Sequence, residues 1–140
     1  MDEQRNRECI QRFYDCVNRR AYDELGEYLH PDYVDHNHTG DLHGIPAFRD
    51  YIANFMDGFS DGRFEILDIV AENDFLAWRT HFTGTNDCPL RGAPATGNRV
   101  DVYGVQMCRF TDDVLGIEHW VGNDLVVMLE QLRRGDGAEA

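Results

Sequence analysis

The apolar positions of this chain follow two periods, and the change from one to the other falls at Asp61-Gly62. Before it, spacings of three and four dominate. Ile10, Phe13, Tyr14 and Val17 form one face and predict a helix over residues 2–20. A shorter helix is predicted from Tyr22 to Leu29, with Tyr22, Leu25, Tyr28 and Leu29 inward, and Pro31 stops it. Residues 32–44 read as a polar, histidine-rich connection with a short extended piece at Tyr33-Val34. A third helix is predicted over 45–56, where Pro46 suits the first turn and Phe48, Ile52, Phe55 and Met56 supply the apolar face. Asp57-Gly58 and Asp61-Gly62 end it.

After that point the spacing falls to two. Residues 63–72 and 75–85 predict a hairpin about the turn Asn73-Asp74. A loop rich in Gly and Pro covers 86–98. A long strand over 99–110, a turn at 111–113 and a fourth strand over 114–122 follow, then an apolar helical run over 125–132. Helices first and antiparallel strands after give an α+β class, with the helices gathered on one face of the sheet. A strongly bent sheet with helices across its concave side leaves a cavity suited to an apolar ligand. No repeat or linker divides the chain, so one domain over 1–134 is expected, with a flexible tail at 135–140.

Composition narrows the partners. Hydrophobic residues make up 42% of the 140 residues, enough for one core. Net charge is −13, which disfavours nucleic acid and anionic membrane as partners. No apolar run approaches the ~20 residues of a membrane span. The charged N-terminus lacks the apolar core of a signal peptide, so a cytoplasmic protein is expected. Cys9, Cys16, Cys88 and Cys108 form no Cys-x-x-Cys pair and read as free structural thiols.

The candidate chemistry centres on the last strand. Alternation groups Glu118, Trp120 and Asp124 on one side, away from His119, Val121 and Asn123. A carboxylate beside an aromatic wall loses solvation, which favours its protonated form and suits a general base. Asp124 also directly precedes Leu125-Val-Val-Met-Leu, as a helix N-cap would. Both readings stand. His36-x-His38 resembles a metal-ligand pair but lacks evident further ligands, so a pocket or loop-holding role is the main reading. Arg79 among apolar neighbours calls for a carboxylate partner, with Glu118 or Asp124 as candidates. Tyr103 and Gln106 are polar groups able to orient a ligand carbonyl, although Tyr103 also reads as an ordinary sheet aromatic. Nucleotide-binding glycine motifs, Gly-x-Ser-x-Gly and Cys-x-x-Cys are absent.

Several strings in order resemble the SnoaL-like (ester cyclase) family. They are His30-Pro31-Asp32-Tyr33-Val34-Asp35-His36-Asn37, Gly44-x3-Phe48-Arg49, Gly92-Ala93-Pro94-Ala95-Thr96-Gly97, Glu118-x-Trp120-x3-Asp124 and Gln131-Leu132. The resemblance spans about residues 8–132. It implies the nuclear transport factor 2-like fold: a cone-shaped barrel of strongly curved, mostly antiparallel sheet against three N-terminal helices, usually as a homodimer. It further implies a polyketide-cyclase type of reaction, an intramolecular aldol closure without metal or cofactor. In that reaction a buried aspartate aligned with Asp124 takes the proton. Gln106 stands where the aromatic-polyketide cyclases carry a histidine, and Tyr51 where they carry an asparagine, so the polar partners of the substrate differ. The expected catalytic set is Asp124, His36 and Arg79. Trp120, Glu118, Gln106, Tyr103, Tyr51, Phe55 and Tyr14 are expected to bind a small hydrophobic molecule. Epoxide hydrolase, isomerase, cofactor-free hydroxylase and a binding-only domain are the alternatives on the same fold.

Overall fold

The computed structural model describes residues 2–134. Helix α1, Glu3–Asn18, starts where the Asp2 carboxylate accepts a hydrogen bond from the Arg5 N–H (3.1 Å). Its predicted stripe, Ile10, Phe13, Tyr14 and Val17, is buried. The next segment is a single tight 3-10 helix, Tyr22–Glu27, in which only Leu25 is buried. It is shorter than the predicted helix because Tyr28 and Leu29 already turn into a strand. Helix α2, Ile45–Met56, has Pro in its first turn as predicted.

The predicted connection over 32–44 is instead a hairpin, strand β1 (Leu29–Asn37) and strand β2 (Gly40–His43). Its inward residues include Asp35 and Asn37, so no hydrophobic alternation announces it. Pro31 is tolerated because the register is irregular between Leu29 and Val34. The remaining strands, β3 (Arg63–Glu72), β4 (Phe75–Thr85), β5 (Arg99–Phe110) and β6 (Gly116–Asn123), follow the predicted order. Helix α3, Leu125–Arg133, closes the described chain. The predicted tail at 135–140 lies outside the described residues.

All six strands join one curved sheet in the order β2-β1-β6-β5-β4-β3, which does not close into a barrel. Every neighbouring pair is antiparallel except β1 with β6. The concave face carries Leu76, Trp78, Thr80 and Phe82 of β4, with Val100, Val102, Gln106, Cys108 and Phe110 of β5. The helices cover it, and Phe55, Phe59, Phe64 and Phe82 meet at centroid distances of 4.8 to 6.3 Å. On the convex face of β5, Tyr103, Val105 and Met107 are exposed. Among the described residues, no helix is long and apolar enough to cross a membrane.

Candidate active site

The parallel register of β1 and β6 sets Asp35 directly beside His119, both on the concave face. Asp35 is fully buried and His119 is 6% exposed. The Tyr33 hydroxyl donates to Asp35 Oδ1 (2.8 Å) and lies 2.8 Å from His119 Nδ1, while His119 Nδ1 is 2.9 Å from the same Asp35 oxygen. Asn37 Nδ2 donates to Asp35 Oδ2 (2.9 Å). These partners assign the tautomer. A lone pair on Nδ1 would face a carboxylate, so Nδ1 carries the proton and donates, and Nε2 is the uncommitted nitrogen. Nε2 is buried and has no hydrogen-bond partner among the described residues. Burial opposes charge on Asp35, but the hydrogen bonds it receives from His119, Asn37 and Tyr33 outweigh it. They hold the carboxyl below its ordinary value. Burial and the neighbouring Asp35 push the Tyr33 hydroxyl well up, so it stays a donor. The His119 ring is fixed by stacking on Trp78 (5.5 Å, 26°).

This group closes the inner end of a cavity. The main chamber, about 360 Å³, lies between α2, α3 and the loop before β5, and its wall is mostly Tyr51, Ile52, Phe55, Phe64, Leu90, Met128 and Leu129. Arg91, His38 and Asn123 add polar groups to that wall. An inner extension of about 50 Å³ shares Tyr51, Ile52, Phe64 and Asn123 with it and reaches Tyr14, Asp35, Gln106 and His119. Gln106 Nε2 donates to Asn123 Oδ1 (2.8 Å), so the Asn123 amide N–H groups remain to donate to a ligand oxygen. Gly104, opposite Asn123 in the register, makes this pair possible. A Cβ there would press into Asn123 Oδ1 and approach Gln106 Nε2. The Tyr14 hydroxyl accepts from Trp78 Nε1 (3.1 Å), and burial pushes its ionisation above the ordinary range. An oriented imidazole, amide donors and an apolar wall thus lie together around one cavity.

The family model for SnoaL-like polyketide cyclases matches residues 7–132. The chain belongs to the SnoaL-like polyketide cyclase family. TsrD from Streptomyces laurentii is 27% identical, with a TM-score of 0.84 over 95% of this chain and 98% of that one. IdmH from Streptomyces antibioticus, assigned as a polyketide cyclase, is 26% identical, with a TM-score of 0.79 over 91% and 97%. A protein from Jannaschia sp. CCS1, assigned as a SnoaL-like polyketide cyclase, is 23% identical and shares the fold at a TM-score of 0.87 over 96% and 95%. Among curated proteins, none matches the chain.

Within this SnoaL-like frame the predicted site residues divide between the two faces of the sheet. Gln106, Tyr14, Tyr51 and Phe55 line the cavity. Asp124 does not. It is exposed, its carboxylate accepts from the Val127 N–H (3.1 Å) as the N-cap of α3, and it borders a shallow depression with Arg79 and Tyr103. Arg79 is 51% exposed and pairs with Asp68 (2.6 Å), not with Glu118 or Asp124. Tyr103 lies outside, stacked on His81 (4.4 Å). His36 and Trp120 are register partners on the convex face, stacked at 5.4 Å. Both nitrogens of His36 are engaged, by Asp41 (2.7 Å) and Glu118 (2.8 Å). Among the described residues, no three metal-ligating side chains converge.

The error in placement has one cause. The parity of β6 is as predicted, but the other parity faces inward. In the register of β5 and β6, Cys108 pairs with His119 and Gln106 with Val121, so the buried alternation of β5 carries His119, Val121 and Asn123 to the concave face. Asp35, Tyr33, His119, Asn123 and Arg91 stand at the cavity without a sequence expectation, whereas His38, read as a pocket or loop-holding histidine, lines its wall. The alternation of β5 was the available signal for His119 and Asn123. None existed for Asp35, whose neighbour is 84 residues away in sequence.

Proposed function

We propose that this SnoaL-like protein catalyses a proton-transfer reaction on a hydrophobic, polyketide-like carbonyl substrate, closing a ring by intramolecular aldol addition. The observation that carries the reading is the Asp35–His119 pair at the inner end of an apolar cavity, with Nε2 uncommitted. In this scheme Nε2 removes a proton from a carbon flanked by carbonyls, and the electron pair moves into the carbonyl as an enolate. Asn123 donates to the enolate oxygen. The enolate carbon attacks a second carbonyl of the same molecule, and the imidazolium returns its proton to the new alkoxide. Asp35 stabilises the imidazolium between the two steps. The proton balance closes on His119 alone, so the scheme calls on no metal or organic cofactor.

Exchange of the acidic methylene protons of a naphthyl β-keto ester in D2O, followed by NMR, tests the reading. The protein should accelerate exchange over buffer, and His119→Gln should lower the rate by roughly a hundredfold or more. Undiminished exchange in that variant would remove His119 from the role, and no acceleration by the wild type would favour a binding-only domain. We also infer that a second copy of the chain covers the convex face, since Tyr103, Val105 and Met107 stand exposed side by side on one strand.

A further inference from the structure

The loop before β5 carries a cation whose placement the proton-transfer scheme does not use. Leu90 and Ala93 exchange both backbone hydrogen bonds (2.9 Å each), closing a two-residue turn over Arg91 and Gly92. Both central residues have positive φ, 50° at Arg91 and 84° at Gly92. For Arg this region is disfavoured, where Asn or Gly would sit without strain. The turn is anchored on both sides. Leu90 packs against Gly58, and the buried Asn86 side chain donates to the carbonyls of Gly58 (3.0 Å) and Cys88 (2.9 Å) and accepts from Thr96 (2.9 Å). The Arg91 guanidinium is therefore held at the cavity mouth, 4.5 Å from the Tyr51 ring centroid and 5.8 Å from that of Phe55.

Arg91 is the one Lys, Arg, Asp or Glu on the wall of the main chamber, and no carboxylate pairs with it among the described residues. Other arginines also lack an ion pair among the described residues, but Arg91 is the one whose side chain lies on the wall of this apolar cavity. The opposite end of the cavity holds Asp35, a buried carboxylate kept ionised. The two ends thus carry opposite charges along one apolar path. We infer that the substrate carries an anionic group, a carboxylate in the simplest case, which Arg91 binds at the mouth. This inference rests on the reading of the cavity as the substrate site and adds substrate class and orientation to it. An anion at the inner end would face Asp35, so the charged end points outward and the reacting carbonyl end lies at His119. The planar guanidinium, already over the Tyr51 ring, has N–H donors for two carboxylate oxygens.

Calorimetric titration with β-naphthoate and its neutral isostere β-naphthamide at about pH 8 isolates this contact, because binding is read without turnover. Wild-type protein should bind naphthoate about tenfold or more tightly than naphthamide, the range of a charge-assisted hydrogen bond. Arg91→Met, which keeps the apolar stem, should bring the two within about twofold, and Arg91→Lys should keep part of the preference. The preference should shrink as salt rises from about 50 to about 500 mM. His119→Gln should retain the full preference, which separates this inference from the assignment of the base. Equal affinities in the wild type, a preference surviving in Arg91→Met, or no binding of either probe would overturn it. The net charge of −13 repels anions in general, so a preference for naphthoate cannot arise from the bulk surface.

Discussion

Asp35 and His36 are adjacent residues with opposite placements, and strand alternation is the whole reason. Asp35 turns inward and fixes one nitrogen of His119. His36 turns outward and lies between two carboxylates, with its ring on Trp120. The hydrogen bonds of Glu118 and Asp41 raise the His36 pKa above its ordinary 6.5. A raised folded-state pKa gives stability that is fully present below 6.5 and is lost as pH rises through the raised value. The clamp joining β1, β2 and β6 should therefore weaken on the alkaline side. NMR titration of the His36 ring should give a midpoint above that of an unfolded-chain histidine, and His36→Gln should flatten the corresponding segment of the urea-midpoint profile. An unshifted His36 midpoint would contradict the clamp. Asp35 runs the other way: its contribution is present above its ordinary carboxyl value of 3.8 and fades as pH falls through the lowered folded value.

At the scale of elements, the strands that could be read from the chain are those with one apolar face. β5 alternates buried and exposed residues along nearly its whole length, and β3 and β4 bracket a turn whose Asn73 takes positive φ. Of β1 only the extended piece at Tyr33-Val34 is legible, because its inward positions hold a tyrosine, a carboxylate and an amide. Their burial is favourable only beside His119, which arrives by a parallel pairing no local signal encodes. The inward parity of β6 was obscured for a different reason. The register slips between Arg109 and Phe110, and Val114 takes φ 64° in the turn, so counting from the turn misassigns the faces. The dependence of the site on β5–β6 contact can be tested at Gly104. Gly104→Ala should break the Gln106–Asn123 pair and cost roughly 1–3 kcal/mol of stability as an overpacked contact. Chemical denaturation measures the loss, and a cost near zero would mean that Asn123 moves freely.

For the molecule as a whole, the curved sheet sets two surfaces to different tasks. The concave side encloses the cavity under α2 and α3, whereas the convex side presents Tyr103, Val105 and Met107 near the Arg79–Asp68 pair. Sedimentation analysis should show a dimer in the wild type and a monomer in Val105→Glu, since a charge at 57% exposure leaves the monomer fold intact. A monomeric wild type would contradict the inferred second copy. The α+β class, the helices at 3–18 and 45–56 and four of the six strands were legible from periodicity. The chemistry was less so, because a site assembled across β1, β5 and β6 depends on which face bends inward. That face decides between two candidate bases, Asp124 at the cap of α3 and His119 at the inner end of the cavity. Proton exchange on the naphthyl β-keto ester, compared between Asp124→Asn and His119→Gln, separates them, because Asn keeps the cap. The account predicts wild-type exchange in Asp124→Asn and a loss of roughly a hundredfold or more in His119→Gln. Exchange lost with Asp124→Asn and kept with His119→Gln would contradict it.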